Sequence, residues 1–279
     1  MVELRAPRHI HYLEPIQSLH PTGGRLVKPI RAILFDIYGT LFISDSGDVG
    51  TAQKNAQGAS MLGDLCRHHG IDGSPDQLAQ RLFQSILAMH ERKKKAGIAY
   101  PEIEIDKIWQ SVLGWQDRNQ TREFALEYEW TVNPSYPMPG LDETLRTIRQ
   151  RGLVMGIISN AQFFTPLLFK WFVGAFPIEL GFAPDLTIYS YQCGEAKPSA
   201  ILFHRCASRL KDMGFPPASI VYVGNDMQND IVPAAKVGWQ TTLFAGDQRS
   251  LRLRIESEEC RMTQPDLVIS DLRQLLDWI

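Results

Sequence analysis

Short apolar runs that end in polar residues recur along the chain. Each run has the length of a strand and lacks the three- and four-residue spacing of a helix, which is typical of strands buried on both faces of a sheet. The sequence therefore predicts a mostly parallel sheet. Six runs are predicted as its strands: RAILFDIYG (31–39), LVMGIISN (153–160), PDLTIYSYQ (184–192), SIVYVG (219–224), QTTLF (240–244) and PDLVIS (265–270).

Helical patterns separate these runs. LDETLRTIRQRG (141–152) has apolar residues at three- and four-residue spacing, and Pro198 marks a helix start directly after Lys197. Strands that alternate with helices predict an α/β fold with three layers, a Rossmann-like, mostly parallel sheet and right-handed crossovers. The carboxyl ends of the strands then line one crevice.

Two segments depart from this alternation. Residues 43–135 are almost entirely helical in pattern, which predicts a helical cap domain inserted into an α/β core of residues 31–42 and 136–279. Residues 1–30 contain four prolines and no clean periodicity, which predicts an irregular N-terminal extension.

Composition narrows the classes of function. The 279 residues are 44% hydrophobic, and 29 Lys and Arg residues nearly balance 31 Asp and Glu residues. No strong basic field is expected to hold nucleic acid or an anionic membrane, and no run approaches the ~20 apolar residues of a membrane span. The four cysteines lie far apart, which favours reduced thiols and a cytoplasmic location. We expect a small-molecule substrate, with a homo-oligomer as an open alternative.

Polar residues at four strand ends form a candidate catalytic site. A carboxylate such as that of Asp36 can attack phosphorus or an activated carbon when a cation such as Lys197 holds it ionised and oriented. The hydroxyl groups of Thr40 and Ser159 can donate hydrogen bonds to transferring oxygens, and carboxylate and amide oxygens are ligands that Mg²⁺ prefers. In chain order, the candidates are Asp36, Thr40, Ser159, Asn160, Lys197, Asn225, Asp226 and Asp230.

Each candidate also has an ordinary structural explanation. Asp36 can end a strand before a glycine turn, Ser159 can cap a helix, and Lys197 can be a solvated side chain. Asp226 and Asp230 can be acids at a helix start, where the helix dipole favours them. Their joint placement at successive strand ends favours one common site.

Four segments of the chain resemble, in order, the motifs of the haloacid dehalogenase-like hydrolase superfamily. They are FDIYGTLF, IISNA, GEAKPS and VGNDMQNDIVPAAKVG, and the likeness covers about residues 31–279, including a cap similar to the C1 caps of that superfamily. The resemblance implies a hydrolase with a covalent nucleophile, whose catalytic residues are Asp36, Thr40, Ser159 and Lys197. It implies substrate-binding positions at Tyr38, Gly39 and Asn160. It implies metal-binding positions at Asp36, Tyr38, Asn225, Asp226 and Asp230.

The first and fourth motifs favour different reactions. Phosphatases of this superfamily usually carry an aspartate at the position of Tyr38, which gives a proton to the leaving group and later activates water. A tyrosine with a pKa near ~10 is a poor replacement, and losing such a group costs about 10²–10⁴ in rate. The Asp-x-Tyr-Gly-Thr spelling is similar to that of 2-haloacid dehalogenases, which need no metal. GNDMQND (224–230) instead resembles the metal-binding phosphatase form, with either Asn225 or Asp226 as the ligand beside Asp230.

Three hypotheses result. The first is an Mg²⁺-dependent hydrolase of a small phosphorylated metabolite, in which a nearby acid, Asp45 or Asp48, is a candidate for the missing proton donor. The second is a metal-independent 2-haloacid dehalogenase, in which the substrate carboxylate is bound by an arginine such as Arg67, Arg81 or Arg92. The third is a catalytically weakened binding or regulatory protein that uses the aromatic segment 163–182 as its interface.

Overall fold

The regular structure of the described residues consists mainly of a central sheet and two groups of helices. The computed structural model describes residues 12–45 and 56–279, with side chains in the second range from residue 61 onward. The strands are β1 (Gly23–Gly24), β2 (Ala32–Phe35), β3 (Phe42–Ser44), β4 (Ser135–Pro137), β5 (Val154–Ser159), β6 (Phe182–Tyr189), β7 (Ile220–Gly224), β8 (Gln240–Phe244) and β9 (Leu267–Ile269). The α-helices are α1 (Ala56–His68), α2 (Pro75–Lys95), α3 (Ile105–Leu113), α4 (Arg118–Val132), α5 (Leu141–Gln150), α6 (Thr165–Phe172), α7 (Pro177–Leu180), α8 (Ser190–Cys193), α9 (Ala200–Asp212), α10 (Val232–Lys236) and α11 (Glu258–Met262).

Seven strands form the main sheet in the order β1-β9-β8-β7-β2-β5-β6. β1 pairs antiparallel with β9, and the other neighbours are parallel. Successive residues of β2 point to opposite faces, so Ile33 and Phe35 pack with α5 and α6, whereas Ala32 and Leu34 pack with α9. The sheet between two helical layers confirms the predicted α/β fold.

Helices α1 to α4, called the cap here, lie between β3 and β4 in the chain. β3 and β4 pair antiparallel, and this two-stranded hairpin joins the cap to the core. Their own apolar core is built around Trp109, Phe124 and Tyr128. At its edge, buried Asp106 accepts hydrogen bonds from Arg118 and from Arg122. The α1 to α4 segment lies within the predicted residues 43–135.

The described part of the N-terminal extension packs along the edge of the sheet. Leu26 and Ile30 are buried in the core. The N–H of Val27 donates to Gln240 Oε1 at 2.6 Å, and Gln240 Nε2 donates back to the Val27 carbonyl at 2.9 Å. The described part of the extension has no helix, and its one strand is the two-residue β1. A two-glycine strand has no apolar pattern by which the sequence could reveal it.

The aromatic segment 163–182 contributes most of its apolar surface to the core. Leu168 and Phe169 of α6 are buried, and the ring of Phe169 meets that of Phe42 edge to face at 5.0 Å. Its exposed large apolar residues are Phe176 and Ile178. The interface required by the third hypothesis therefore has little surface available.

Two further features concern the described residues together. Within the described ranges, no helix combines the length and apolar character needed to cross a membrane. The four cysteines all lie in those ranges, and each is a free thiol.

Candidate active site

The central strand of the sheet carries Asp36 at its carboxyl end. β2 lies between β5 and β7, with Phe35 paired to Ile157 on one side and to Val223 on the other. The N–H of Asp36 donates to the Val223 carbonyl at 2.9 Å, which extends this pairing by one residue. The carboxylate, 6% exposed, is thereby fixed at the middle of the sheet edge.

The ammonium group of Lys197 joins two carboxylates. Its Nζ donates to Asp36 Oδ1 and to Asp230 Oδ1 at 2.6 Å each, and to the Tyr222 hydroxyl at 3.3 Å. Burial works against the charge, but the carboxylates of Asp230 and Asp36 outweigh it and raise the pKa of Lys197. The lysine is therefore a buried, positively charged group in contact with the candidate nucleophile.

Asn160 positions the backbone that carries this lysine. Its Oδ1 accepts from the N–H of Lys197 at 2.7 Å, and its Nδ2 donates to the Lys197 carbonyl at 3.4 Å. The cap holds the same loop, because the N–H of Glu102 donates to the Gly194 carbonyl at 3.0 Å and the N–H of Ala196 donates to the Tyr100 carbonyl at 2.8 Å. Lys197 thus follows directly after a backbone contact between cap and core.

The two predicted hydroxyl donors are bonded to the protein. Thr40 Oγ1 donates to Asn225 Oδ1 at 3.0 Å, and Ser159 Oγ lies 3.4 Å from the Asn160 carbonyl. Both side chains are fully buried, and neither lines the cavity beside Asp36. Gly39, at φ +83°, allows the close approach, since a side chain there would meet Asn225 Nδ2 at 2.5 Å.

The fourth motif places Asp230 at the site and Asp226 beside it. Burial, with the neighbouring charges of Asp36 and Asp226, raises the pKa of Asp230 to about 7, even though Lys197 lowers it. The carboxylate of Asp226 accepts from the N–H groups of Gln228 and Asn229, at 2.8 and 3.2 Å, and therefore caps the helical turn that follows. It also accepts from the guanidinium of Arg254 at 2.7 Å.

Tyr38 lines the cavity but is poorly suited to exchange protons. Its hydroxyl lies 3.0 Å from Thr165 Oγ1. Burial, with the negative charge of Glu129, raises the pKa of the Tyr38 phenol above its ordinary value. Of the two acids expected as replacements, Asp45 pairs with Arg249 at 3.3 Å and does not line the cavity. Asp48 lies outside the described residues.

A cavity of about 380 Å³ lies between the core and the cap, and it contains Asp36, Lys197 and Asp230. Two residues in or beside it were not predicted from the sequence, Tyr222 and Glu129. Tyr222 donates from its hydroxyl to the Ile158 carbonyl at 2.7 Å, and it is the one phenol in an otherwise apolar strand. Glu129 lines the cavity from α4 and lies one helical turn after buried Ala125. An acidic residue on the buried face of a helix is the feature of the sequence that could have indicated it.

The three arginines expected of a haloacid site lie elsewhere. Arg67 pairs with Asp64 on the surface, Arg81 donates to the Val112 carbonyl, and Arg92 is exposed. None of the three lines the cavity. The described structure therefore gives the dehalogenase hypothesis none of its expected carboxylate-binding arginines.

Comparisons with known proteins agree on one family. The family model for haloacid dehalogenase-like hydrolases matches residues 30–238. The phosphoglycolate phosphatase of Haemophilus influenzae (strain 86-028NP) is 28% identical over 192 residues, which are 68% of this chain and 73% of that enzyme. The structure of a 2-haloacid dehalogenase from Pseudomonas syringae pv. Tomato DC3000 is similar with a TM-score of 0.57 at 16% identity, covering 89% of this chain and 97% of that one. A HAD phosphatase from Thermococcus onnurineus gives a TM-score of 0.54 at 20% identity, over 89% and 99% of the two chains.

Proposed function

Since the chain belongs to the haloacid dehalogenase-like hydrolase family, we propose that it is an Mg²⁺-dependent phosphatase of a small phosphorylated metabolite, with Asp36 as its nucleophile. The observation that carries the proposal is the bridge from Asp36 through Lys197 to Asp230, with both oxygens 2.6 Å from the ammonium. A buried cation in this position keeps the nucleophile ionised and can also stabilise charge on a phosphoryl group. The phosphatase relative from H. influenzae supports the same reaction.

In the proposed reaction, a carboxylate oxygen of Asp36 attacks phosphorus and the bond from phosphorus to the substrate oxygen breaks. The leaving alkoxide takes its proton from solvent water and departs as the alcohol. Water then cleaves the aspartyl phosphate and releases inorganic phosphate. Lys197 keeps Asp36 oriented throughout, because Nζ donates three hydrogen bonds and Asn160 holds its main chain. Tyr38 takes no part in proton transfer, so we expect turnover about 10²–10⁴ below that of a site with a positioned acid.

The charges of the site fit a divalent cation. Arg254 pairs with Asp226, whereas Lys197 pairs with both Asp36 and Asp230. Burial, with the charges of Asp36 and Asp226, raises the pKa of Asp230 even though Lys197 lowers it. Asp36 and Asp230 would hold Mg²⁺, with Asn225 Oδ1 as a third oxygen. No three His, Cys, Asp or Glu side chains in the described ranges form a metal cluster, so water would complete the coordination of Mg²⁺ at this site. When bound, the ion neutralises charge on the phosphoryl oxygens.

Release of phosphate from p-nitrophenyl phosphate tests the proposal. We expect turnover with Mg²⁺ that EDTA abolishes, a loss of at least about 10³-fold in Asp36→Asn, and no change in the exposed control Asp185→Asn. Wild-type rates in Asp36→Asn would refute the role of Asp36. Chloride release from 2-chloropropionate that persists in EDTA, with no phosphate release, would identify a dehalogenase instead.

A further inference from the structure

Among the described residues, the cap side of the cavity is lined by acids and by no lysine or arginine. Its titratable side chains from the cap are His90 on α2, Glu102 in the loop before α3, and Glu129 on the last turn of α4. No lysine or arginine is found among the described cap residues that line the cavity. The part of a substrate that faces the cap therefore meets carboxyl groups.

The carboxyl group of Glu129 can accept further hydrogen bonds. Within the described chain, its carboxyl has one hydrogen-bond partner, Asn133 Nδ2 at 2.9 Å. Glu102, by contrast, accepts from Ser190 Oγ at 2.6 Å and from the N–H of Ile103 at 2.8 Å. Glu129 also lies near enough to Tyr38 for its charge to act on the phenol, and Tyr38 is two residues from Asp36. Glu129 is therefore placed to meet the group attached to a transferring phosphate.

His90 adds a neutral polar atom to the same wall. Its Nε2 is buried and, among the described residues, has no hydrogen-bond partner. Burial, together with the charges of Lys94 and Lys93, lowers the pKa of the imidazole, so the ring is uncharged at neutral pH. An uncharged imidazole can exchange a hydrogen bond with a hydroxyl group but does not attract an anion.

The arginines that line the cavity belong to the core and are bonded there. Arg254 donates to the carboxylate of Asp226, and Arg252 donates to the carbonyls of Arg249 and Leu251 at 2.6 and 3.2 Å. Both lie on the loop that follows β8, on the side of Asp226. These hydrogen bonds are all to core residues.

We propose that the alcohol part of the substrate is not anionic and that it donates hydrogen bonds to Glu129, as a polyol or an amino alcohol would. This inference rests on the proposed phosphatase function and names its substrate class. A carboxylate or a second phosphate in that position would face Glu129, whose pKa burial already raises, and no cation among the described cap residues that line the cavity would compensate for it. Bringing like charges together in an interface disfavours binding strongly. The substrate therefore differs in class from phosphoglycolate, whose alcohol part carries a carboxylate.

The test compares kcat/KM for glycerol phosphate, ethanolamine phosphate and phosphoglycolate, with p-nitrophenyl phosphate as a general probe. We expect kcat/KM for glycerol phosphate or for ethanolamine phosphate to exceed that for phosphoglycolate by at least about tenfold. Whichever of the two has the higher kcat/KM shows whether the alcohol carries hydroxyl groups or an ammonium group. Glu129→Gln keeps the shape and removes the charge, so the preference against phosphoglycolate should shrink by about tenfold or more. Glu123→Gln, an exposed change on the same helix, should leave the preference unaltered.

Each outcome bears on one proposal or the other. Hydrolysis of p-nitrophenyl phosphate with phosphoglycolate as the best of the three esters would overturn the substrate class and leave the phosphatase function in place. An unchanged preference in a folded Glu129→Gln variant would overturn the role of Glu129. Failure to hydrolyse any ester, the general probe included, would overturn the phosphatase function and the substrate class together.

Discussion

Replacing Lys197 with methionine should destabilise the protein in a way that depends on pH. The change leaves Asp36 and Asp230 buried without the ammonium that both contact at 2.6 Å. Removing one partner of a buried ion pair costs about 3–5 kcal/mol. With a urea dependence of about 3 kcal/mol per molar, the unfolding midpoint should fall by roughly 1–1.7 M near pH 7.

The pH dependence follows from Asp230. Its pKa is raised to about 7 in the wild type, and losing Lys197, which lowers it, raises the pKa further. A carboxyl with a raised pKa in the folded state stabilises through its bound proton at low pH, and that stability is lost as pH rises through the folded-state pKa. Between pH 5 and 6.5 both proteins keep the proton, so the difference in unfolding free energy is constant. Above pH 7 only the variant keeps it, so the difference widens by about 1.4 kcal/mol per pH unit.

Urea unfolding of both proteins in EDTA at half-unit steps from pH 5 to 9 provides the measurement. Lys236→Met is the matched control, because Lys236 forms an exposed pair with Glu259 that contributes about 1 kcal/mol or less. A Lys197→Met variant as stable as wild type at pH 8 would refute the buried charge pair. A loss that does not vary with pH would refute the assignment to Asp230.

Three other substitutions have definite expected outcomes. Tyr38→Phe should lose about 1 kcal/mol of stability with its hydrogen bond to Thr165 and change kcat less than threefold, so a loss above about 100-fold would show that the hydroxyl acts in proton transfer. Gly224→Ala should abolish activity at unchanged helix content by circular dichroism, because its methyl group overlaps the carboxyl of Asp230. Asp106→Asn should lower stability by about 1–2 kcal/mol at pH 7. Burial raises the pKa of Asp106, but its two arginines outweigh that and lower it, so in thermal scans the loss should shrink as pH falls below about 4 and vanish only below the lowered folded-state pKa.

The meeting of Asp36, Lys197 and Asp230 could be predicted because strand order determines it. Parallel strands deliver their carboxyl ends to one edge, and Asp36 and Asp230 follow the adjacent strands β2 and β7. Lys197 follows β6, two strands from β2, and its long side chain reaches both carboxylates at the same edge. Apolar runs located those strands to within a few residues. β2, for example, is Ala32–Phe35 inside the predicted run 31–39.

The direction of individual side chains could not be read in the same way. Thr40 and Ser159 follow the right strands, but their hydroxyl groups are used by Asn225 and near the Asn160 carbonyl. Asp226 has the spacing of a ligand and also the helix-capping role that was its ordinary explanation, and its partner Arg254 lies 28 residues further along the chain. Such choices depend on long-range neighbours, which periodicity does not reveal.

The wall of the cavity depends on how the cap lies on the core, and strand order does not encode that. Glu129 is a helix residue far from every motif and reaches the site only because α4 leads back into the hairpin at β4. An acidic residue on the buried face of a helix indicates that a site is near, but the sequence does not show which site it belongs to.

The backbone contact between the cap and the lysine loop has a consequence for protein engineering. An exchange of caps between relatives would separate Tyr100 and Glu102 from Gly194 and Ala196, and leave an N–H and a carbonyl unpaired on each side. Because Ala196 precedes Lys197, the mismatch would disturb the position of the Lys197 ammonium first. A transplantable module in this fold is therefore discontinuous, made of the helical insertion together with the loop at residues 194–197, and chimaeras cut only at the hairpin should fold and yet lose turnover.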